Sequence, residues 1–427
     1  MITKIAWKNI WNKPLNTTLS IVLLTASVAI ITLLILLQEQ FEKKFNDNID
    51  GIDMVLGAQG SPLQLILSAV YQVDSPTGNI NYDEAKMWMH NPMVKEAIPL
   101  AFGDNYKGYR IVGTTPQYLT HYGAKLQKGA VFTKDYQVVV GSDIAQKMNL
   151  EVGDKFFGAH GDAAEGEVHK EHAYIVTGIA APTGKVVDNL ILCTIPTVWG
   201  MHDGHAHHEG EAHHDDADED DHEHEAHEPV DYMQEDHHDE DHEGEGHEIT
   251  AALIKFRGPK AFVIWPNMVA MNTKMQAAAP GVEINRLFTL FGIGLQALQY
   301  LAYGIMLISG ISIFIALYNT LKERKYEFAL LRVNGASRMQ LLLLVLIESL
   351  LLCITGYIFG TIVGRIGLML ISGSSESEFK MAFNPYQFVW DKEGYLLLLT
   401  IFVGILAAVI PAVKAYGLNI SKTLANA

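Results

Sequence analysis

Four long apolar runs, one near the start and three near the end, restrict what this chain can fold into. Residues 17–37 are 21 residues without a charge, the length an α-helix needs to cross the hydrocarbon core of a bilayer. Arg286 and Lys322 bracket 35 uncharged residues, more than a bilayer requires. This predicts a second helix, spanning at 290–318, that continues beyond the membrane as a stalk. Runs at 341–372 and 395–413 supply a third and a fourth helix. A hydrophobic fraction of 49% agrees with a membrane protein rather than a soluble one.

The charges between the runs set their direction. Lys322, Arg324, Lys325, Arg332 and Arg338 crowd the short segment 319–340, where the positive-inside rule counts most. The second helix is therefore expected to end, and the third to begin, in the cytoplasm. Residues 1–16 form a basic amphipathic lead with Lys4, Lys8 and Lys13, and Lys414 and Lys422 lie in the tail at 414–427, so both termini are expected inside. The first run is longer than a signal-peptide core and passes into a polar, helix-favouring stretch at 38–45, so it reads as a retained helix. The expected product is a multi-pass protein of the cytoplasmic (inner) membrane. Its fold class is α-helical, with four transmembrane helices plus a large mixed α/β extracytoplasmic domain, residues 38–289, between helices 1 and 2. A short outside loop is expected at 373–394.

Within that domain, β-branched runs at 135–140, 174–179 and 189–194 read as strands. GSDIAQKMNL, 141–150, has helical spacing with Ser142 as the expected N-cap, and Gly153 and Asp154 turn the chain toward the next strand. Two glycine-rich stretches fail as phosphate loops. DMVLGAQGSPLQ at 53–64 lacks the spacing, and in 178–186 the glycines lie one residue too far apart, with Val186 where Ser or Thr would hold magnesium. No nucleophile with a supporting base is evident, so the chain is not expected to be an enzyme, to carry a covalent cofactor, or to meet ATP except through a partner. With only Cys193 and Cys353, the latter in a membrane run, no disulfide is expected.

The net charge of −17 comes from one tract. Between 201 and 248 there are 21 Asp and Glu and no Lys or Arg, whereas the remainder carries 27 acids against 31 bases. Acidity of this kind implies neither an acidic fold nor a nucleic-acid partner. The tract holds 13 of the 18 histidines: His202, His205, His207, His208, His213, His214, His222, His224, His227, His237, His238, His242 and His247. Imidazoles interleaved with carboxylates suit zinc, and also nickel or copper, in several interchangeable sites rather than one closed tetrahedral site. Having too few apolar residues to build a core, the segment 200–247 is expected to be a disordered insertion; a solvating or pH-responsive loop is the alternative. His160, His169 and His172 form a smaller cluster, equally readable as a surface loop.

In the third run, Gly356, Gly360 and Gly364 recur every four residues, the spacing that lets helix backbones approach closely in lipid, although glycine is common in membrane helices generally. Glu348 lies one to two turns in from the cytoplasmic end, where a carboxylate needs a partner. The helices show no convincing path of His and Asp for a metal ion.

One helix, a large outside domain and three further helices resemble the order of the FtsX/MacB-type permeases, which include LolC and LolE. The residues that carry the resemblance are the segment 9–14, QVVVGSDIAQKMNLEVGD at 137–154, IVTGIAAP at 175–182 and ERKYEFALLRVNGASRMQL at 323–341. Glu348 with the glycine ladder, and Pro411, Ala415 and Leu424, also fit. The resemblance implies a permease dimer, of two identical or two related chains, each docking a separate ABC ATPase. It also implies work passed through the second helix to the outside domain; an extracytoplasmic adaptor or outer-envelope component is a further candidate partner. No ATPase domain is expected to be fused to this chain. The coupling residues it implies are Glu323, Arg324, Glu327, Phe328, Leu331, Arg332, Gly335, Ala336 and Ser337. In a stiff helix KERKYEFALLR, charges would meet the ATPase while Phe328, Leu330 and Leu331 bury, and Asn334 and Gly335 would turn the chain back.

Three functional classes follow: a mechanotransmitting permease that exports or extracts a lipoprotein, peptide or amphipathic compound, a zinc-homeostasis component, or a signalling permease that activates an outside hydrolase. The missing intramembrane metal path favours the first.

Overall fold

The computed structural model describes residues 14–159, 172–203, 247–378 and 383–417. The basic lead before Pro14, His160, His169 and most of the histidine tract lie outside the described residues. The chain divides into two compact units, one of residues 46–284 and the other of 1–45 with 285–427.

In chain order the helices are α1 (Pro14–Ile49), α2 (Pro62–Ile66), α3 (Tyr82–Met89), α4 (Gln117–His121), α5 (Ser142–Met148), α6 (Ile195–Asp203), α7 (Ala261–Asn272), α8 (Pro280–Glu323), α9 (Lys325–Val333), α10 (Arg338–Glu378) and α11 (Trp390–Tyr416). The strands are β1 (Met54–Ala58), β2 (Ile80–Asn81), β3 (Val94–Tyr106), β4 (Tyr109–Gly113), β5 (Leu126–Gly129), β6 (Gln137–Val140), β7 (Lys155–Phe156), β8 (Tyr174–Ala180), β9 (Ile191–Cys193), β10 (Glu248–Ile249), β11 (Ala251–Phe256) and β12 (Met275–Ala278).

The unit 46–284 is built on one ten-stranded sheet, ordered β12-β1-β11-β3-β4-β9-β6-β8-β5 with β7 beside β8. Among the described residues, only β4–β9 and β6–β8 are parallel pairs. The 13-residue strand β3 joins the two halves, pairing with β11 along its first part and with β4 along its second. β1 and β12 lie side by side and antiparallel, with Val55 opposite Ala278, so the chain enters and leaves the sheet on neighbouring strands. Trp265, Tyr174, Val138, Val140, Ile111 and Leu56 are fully or almost fully buried in the core.

The strands at 137–140, 174–180 and 191–193 lie where alternation and β-branching place them. The N-cap of α5 differs from the expectation. It is Gly141, not Ser142, because any Cβ at 141 would lie 2.3–2.4 Å from the carbonyl oxygens of Asp188 and Val187. Gly153 has φ +102°, and the Asp154 amide bonds the Glu151 carbonyl at 3.1 Å, making the expected turn. In 53–64, the glycine serves packing: a Cβ on Gly57 would strike Leu65 of α2 at 2.4 Å.

The histidine insertion starts later than the composition suggests. α6 runs through Met201 to Asp203, and Met201 is buried, since this helix packs its apolar face on the sheet before the acidic run begins. The far end is pinned too. Trp199 Nε1 donates to the Glu248 carbonyl at 2.6 Å, the His247 ring packs on Trp199 at 4.1 Å between centroids, and Glu248 pairs with Asn81. The described residues on the two sides of 204–246 are thus held together, so the fold closes without that stretch. His172 stacks on Tyr136 at 4.7 Å.

Among the described residues, the other unit holds four helices long and apolar enough to cross a membrane. α8 has 44 residues, about 66 Å of helix, roughly twice a hydrocarbon core. α10 and α11 extend past the apolar runs at both ends, so the connection between them is shorter than the expected 373–394.

Candidate functional site

The charged segment 319–340 folds as a short helix between two long ones. α8 ends at Glu323, Arg324 leaves helical geometry, and α9 begins at Lys325. Arg324 is fixed by its own neighbour: its Nε donates to Glu327 Oε2 at 2.7 Å, and its Nη2 forms an ion pair with the same carboxylate. Glu323 and Glu327 both lie on the exposed surface.

α9 has two apolar faces. Phe328 and Ala329 are buried, and Phe328 belongs to the same buried cluster as Leu317 and Leu321 of α8 and Leu341 and Leu344 of α10. Leu331 is half-buried against the same cluster. Tyr326, Leu330 and Val333, spaced four and three residues apart and so on one side of a helix, stay exposed. This corrects the expectation for Leu330, whose place in the interior is taken by Ala329 because a helix can turn only one stripe toward its neighbours.

Several residues implied for coupling also shape the segment. The Arg332 Nη1 donates to the Ala336 carbonyl at 2.9 Å, and the Ala336 amide bonds the Leu331 carbonyl at 3.0 Å. Gly335 takes φ +94°, which a side chain would strain, and ends α9 as Asn334 and Gly335 were expected to do. Ser337 and Gln340 form a reciprocal cap on α10. Ser337 Oγ accepts the Gln340 amide at 3.2 Å, and Gln340 Oε1 accepts the Ser337 amide at 2.8 Å. The pattern SRMQ carries that cap in the sequence, where it reads as part of the coupling motif.

The glycine ladder has a definite partner. A Cβ on Gly356 would meet Leu24 Cδ2 at 2.6 Å, one on Gly360 Val28 Cβ at 2.5 Å, and one on Gly364 the Ala29 carbonyl at 2.7 Å. The third membrane helix therefore lies directly on the first. Glu348 is buried among the helices, next to Ser349, whose hydroxyl bonds the Gly404 carbonyl of α11 at 2.7 Å.

Sequence reasoning missed the far ends of these helices. Arg365 sits inside the third apolar run, and its Nη2 reaches Glu393 of α11 at 2.9 and 2.8 Å. Glu393 is fully buried and also accepts the Val389 amide at 3.2 Å. Beside it, the Gln40 side chain pairs with both the amide and the carbonyl of Asn384, at 2.7 and 2.8 Å, and Lys392 bridges Glu39 at 2.8 Å. A lone arginine in an apolar helix was the available signal.

The glycine-rich segment after β8 is occupied by the protein itself. The buried carboxylate of Asp188 accepts the amides of Thr183, at 3.0 and 2.9 Å, and of Gly184 at 2.6 Å, donors of the kind a phosphate would need. Cys193 and Cys353 are both free and buried, and burial pushes the Cys193 thiol well up from its usual range. Among the described residues, no three His, Cys, Asp or Glu side chains come together as metal ligands. The metal set falls outside the described residues, save His202, whose helical position alone is defined, and His247, which packs on Trp199.

Residues 300–420 match the family model of the FtsX-like permease C-terminal region. Residues 17–211 match the MacB-like periplasmic core domain. Two solved structures are similar over about half of the chain. One is the periplasmic region of MacB from Actinobacillus actinomycetemcomitans, at 11% identity, covering 57% of this chain and 97% of that one with a TM-score of 0.34. The other is the extracellular domain of the noncanonic ABC-type transporter YknZ from Gram-positive bacteria, at 10% identity, covering 53% and 98% with a TM-score of 0.29. No curated protein matches the chain.

Proposed function

The chain belongs to the FtsX/MacB-type ABC permeases, membrane subunits of ABC transporters, and from that premise we propose that it transmits mechanical work from a separate ATPase to its own extracytoplasmic domain. The observation that carries this reading is the path of the chain around α8. Its first residue follows β12 by one residue, and its last precedes α9 by one. A displacement of α9 therefore has an uninterrupted helix of 44 residues along which to act. The exposed face Tyr326–Leu330–Val333, flanked by Lys325 and Glu327, is the surface offered to the ATPase subunit.

In this reading both termini are cytoplasmic, two permease chains act as a pair, and the load is an envelope substrate: a lipoprotein, peptide or amphipathic compound. The histidine tract is an accessory that collects zinc, or nickel or copper, and makes the cycle metal-responsive. ATP is bound and hydrolysed only by the partner.

Leu330→Asp and Val333→Asp test the docking face in the purified permease–ATPase complex. The expected result is at least a tenfold loss of ATPase co-purification and of permease-stimulated hydrolysis, at unchanged thermal stability of the permease. Normal binding and stimulation in both variants would overturn the assignment.

A further inference from the structure

Helices α8 and α11 run side by side in the same direction and leave a groove between them. Gly310 sits against Val403, where a new Cβ would come within 2.7 Å of Val403 Cγ1, and two turns further on Tyr318 meets Lys414. Met306, Gly310 and Ala407 are buried and form the floor of the groove. Leu307 and Ile311 of α8 and Leu406 and Ile410 of α11 are at least half exposed and form its rims. The hollow exists because a glycine and an alanine lie between long side chains. It holds about 590 Å³, and no charged side chain lines it.

Its depth matches one leaflet. Tyr303 and Tyr395 stand at one end of the lining and Phe314 and Ile410 at the other, and one turn beyond the latter pair come Tyr318 and Lys414. From Tyr303 to Tyr318 is about 22 Å of helix at 1.5 Å per residue. A bilayer with its headgroups is about 40–45 Å thick, so the groove and its open end together are as long as one lipid.

That end is basic. Lys414 Nζ donates to the Tyr318 hydroxyl at 3.2 Å and lies 4.5 Å from its ring centroid, which uses one of its three donors. Lys322 and Lys325 are within electrostatic reach of the same hydroxyl, and all three lysines are exposed. Glu327, an acid of the same segment, is already engaged by Arg324. An apolar channel that opens among cations is complementary to a lipid with a negative headgroup. A second membrane helix matches it less well. Close helix contacts in lipid use small residues and hydrogen bonds between helices, whereas these rims are large, branched and free of polar side-chain atoms. We propose that an anionic phospholipid lays one acyl chain between α8 and α11 and sets its phosphate on Lys322 and Lys414, as a resident lipid of the permease.

Native mass spectrometry tests this on the full-length protein, delipidated in detergent and titrated with phosphatidylglycerol or with phosphatidylcholine of the same chains; no ATPase is needed. Phosphatidylglycerol is expected to bind at least fivefold more tightly. Lys322→Gln with Lys414→Gln should bring the two lipids within twofold of each other. Ile311→Trp, which fills the groove from its rim, should weaken phosphatidylglycerol binding at least fivefold. Ile308→Trp, 55% exposed against 50% for Ile311 but outside the lining, should leave it unchanged. All four side chains are exposed, so the melting temperature in neutral detergent should hold in each variant. Equal affinity for the two lipids in the unaltered protein, an undiminished preference in the lysine variant, or unchanged binding in Ile311→Trp would overturn the proposal. So would lipid adducts on monomers with none on dimers, which would mean that a second copy of the chain fills the groove.

Discussion

Arg365 holds both carboxylate oxygens of Glu393 with one nitrogen, at 2.9 and 2.8 Å, and so ties the third membrane helix to the fourth where Glu393 has no access to solvent. Removing one member leaves the other charge buried without compensation. Arg365→Met or Glu393→Ala is expected to lower stability by about 3–5 kcal/mol, whereas the double variant recovers part of the loss. Thermal unfolding of the purified permease in one detergent measures both, and equal losses in the single and double variants would refute the pairing.

The glycine ladder makes a graded prediction. At Gly360 a new methyl meets the Val28 Cβ and the Thr25 carbonyl, which cannot swing away, while at Gly356 it meets only the Leu24 side chain. Gly360→Ala should therefore cost about 1–3 kcal/mol, and Gly356→Ala less. Gly304, with nothing within 4 Å of a new methyl, should gain stability as alanine, since glycine weakens a helix interior. Adding Val28→Ala to Gly360→Ala should restore most of the melting temperature.

The two faces of α9 should separate stability from coupling. Phe328→Ala empties a buried site in the helix cluster and is expected to cost about 3–5 kcal/mol. Leu330→Ala, on the outer face, should leave the melting temperature within about a degree while weakening ATPase stimulation. Equal effects of the two changes on melting would show that α9 packs differently.

His121 should make the extracytoplasmic unit sensitive to acid. Burial lowers its pKa below the ordinary 6.5; Lys255 and Lys185 push the same way, and Glu96 and Asp50 oppose them. The unfolded chain therefore takes up a proton more readily than the folded one. Stability is complete above about pH 6.5 and declines as pH falls below it, levelling off beneath the depressed native value. Melting temperatures between pH 8 and pH 5 should show this slope, and His121→Gln should flatten it.

Replacing 204–246 by a short Gly-Ser linker should leave the melting temperature of the protein unchanged, because Trp199 and Glu248 already hold the ends together. The same deletion should abolish zinc binding measured by calorimetry. Undiminished zinc binding would move the metal sites elsewhere on the chain.

The membrane helices were legible because apolar length is a one-dimensional property, and the strands at 137–140 and 174–180 because β-branched residues gather there. Facing was less so. Leu330 and Ala329 have interchangeable claims to the interior until the direction of α9 is known, and Ser337 reads equally as a contact residue and as a helix cap. The Gly141 position was set by carbonyls some 47 residues later, which no local pattern reports. The partners of Gly356 and Gly360, more than 300 residues earlier in α1, were invisible for the same reason.

The neighbouring arrangement of β1 and β12 decides which kinds of pulling the extracytoplasmic unit withstands. Their attachment points, Met54 and Ala278, lie at the same end of one antiparallel pair. A force that drew α1 and α8 apart would load the hydrogen bonds between these strands one after another, as a zipper opens, and each bond alone is weak. A force that shifted both helices together would load no bond between them at all, and would tip the whole sheet as one plate. Under such forces the sheet would act as a filter, passing concerted tilting and failing under separation.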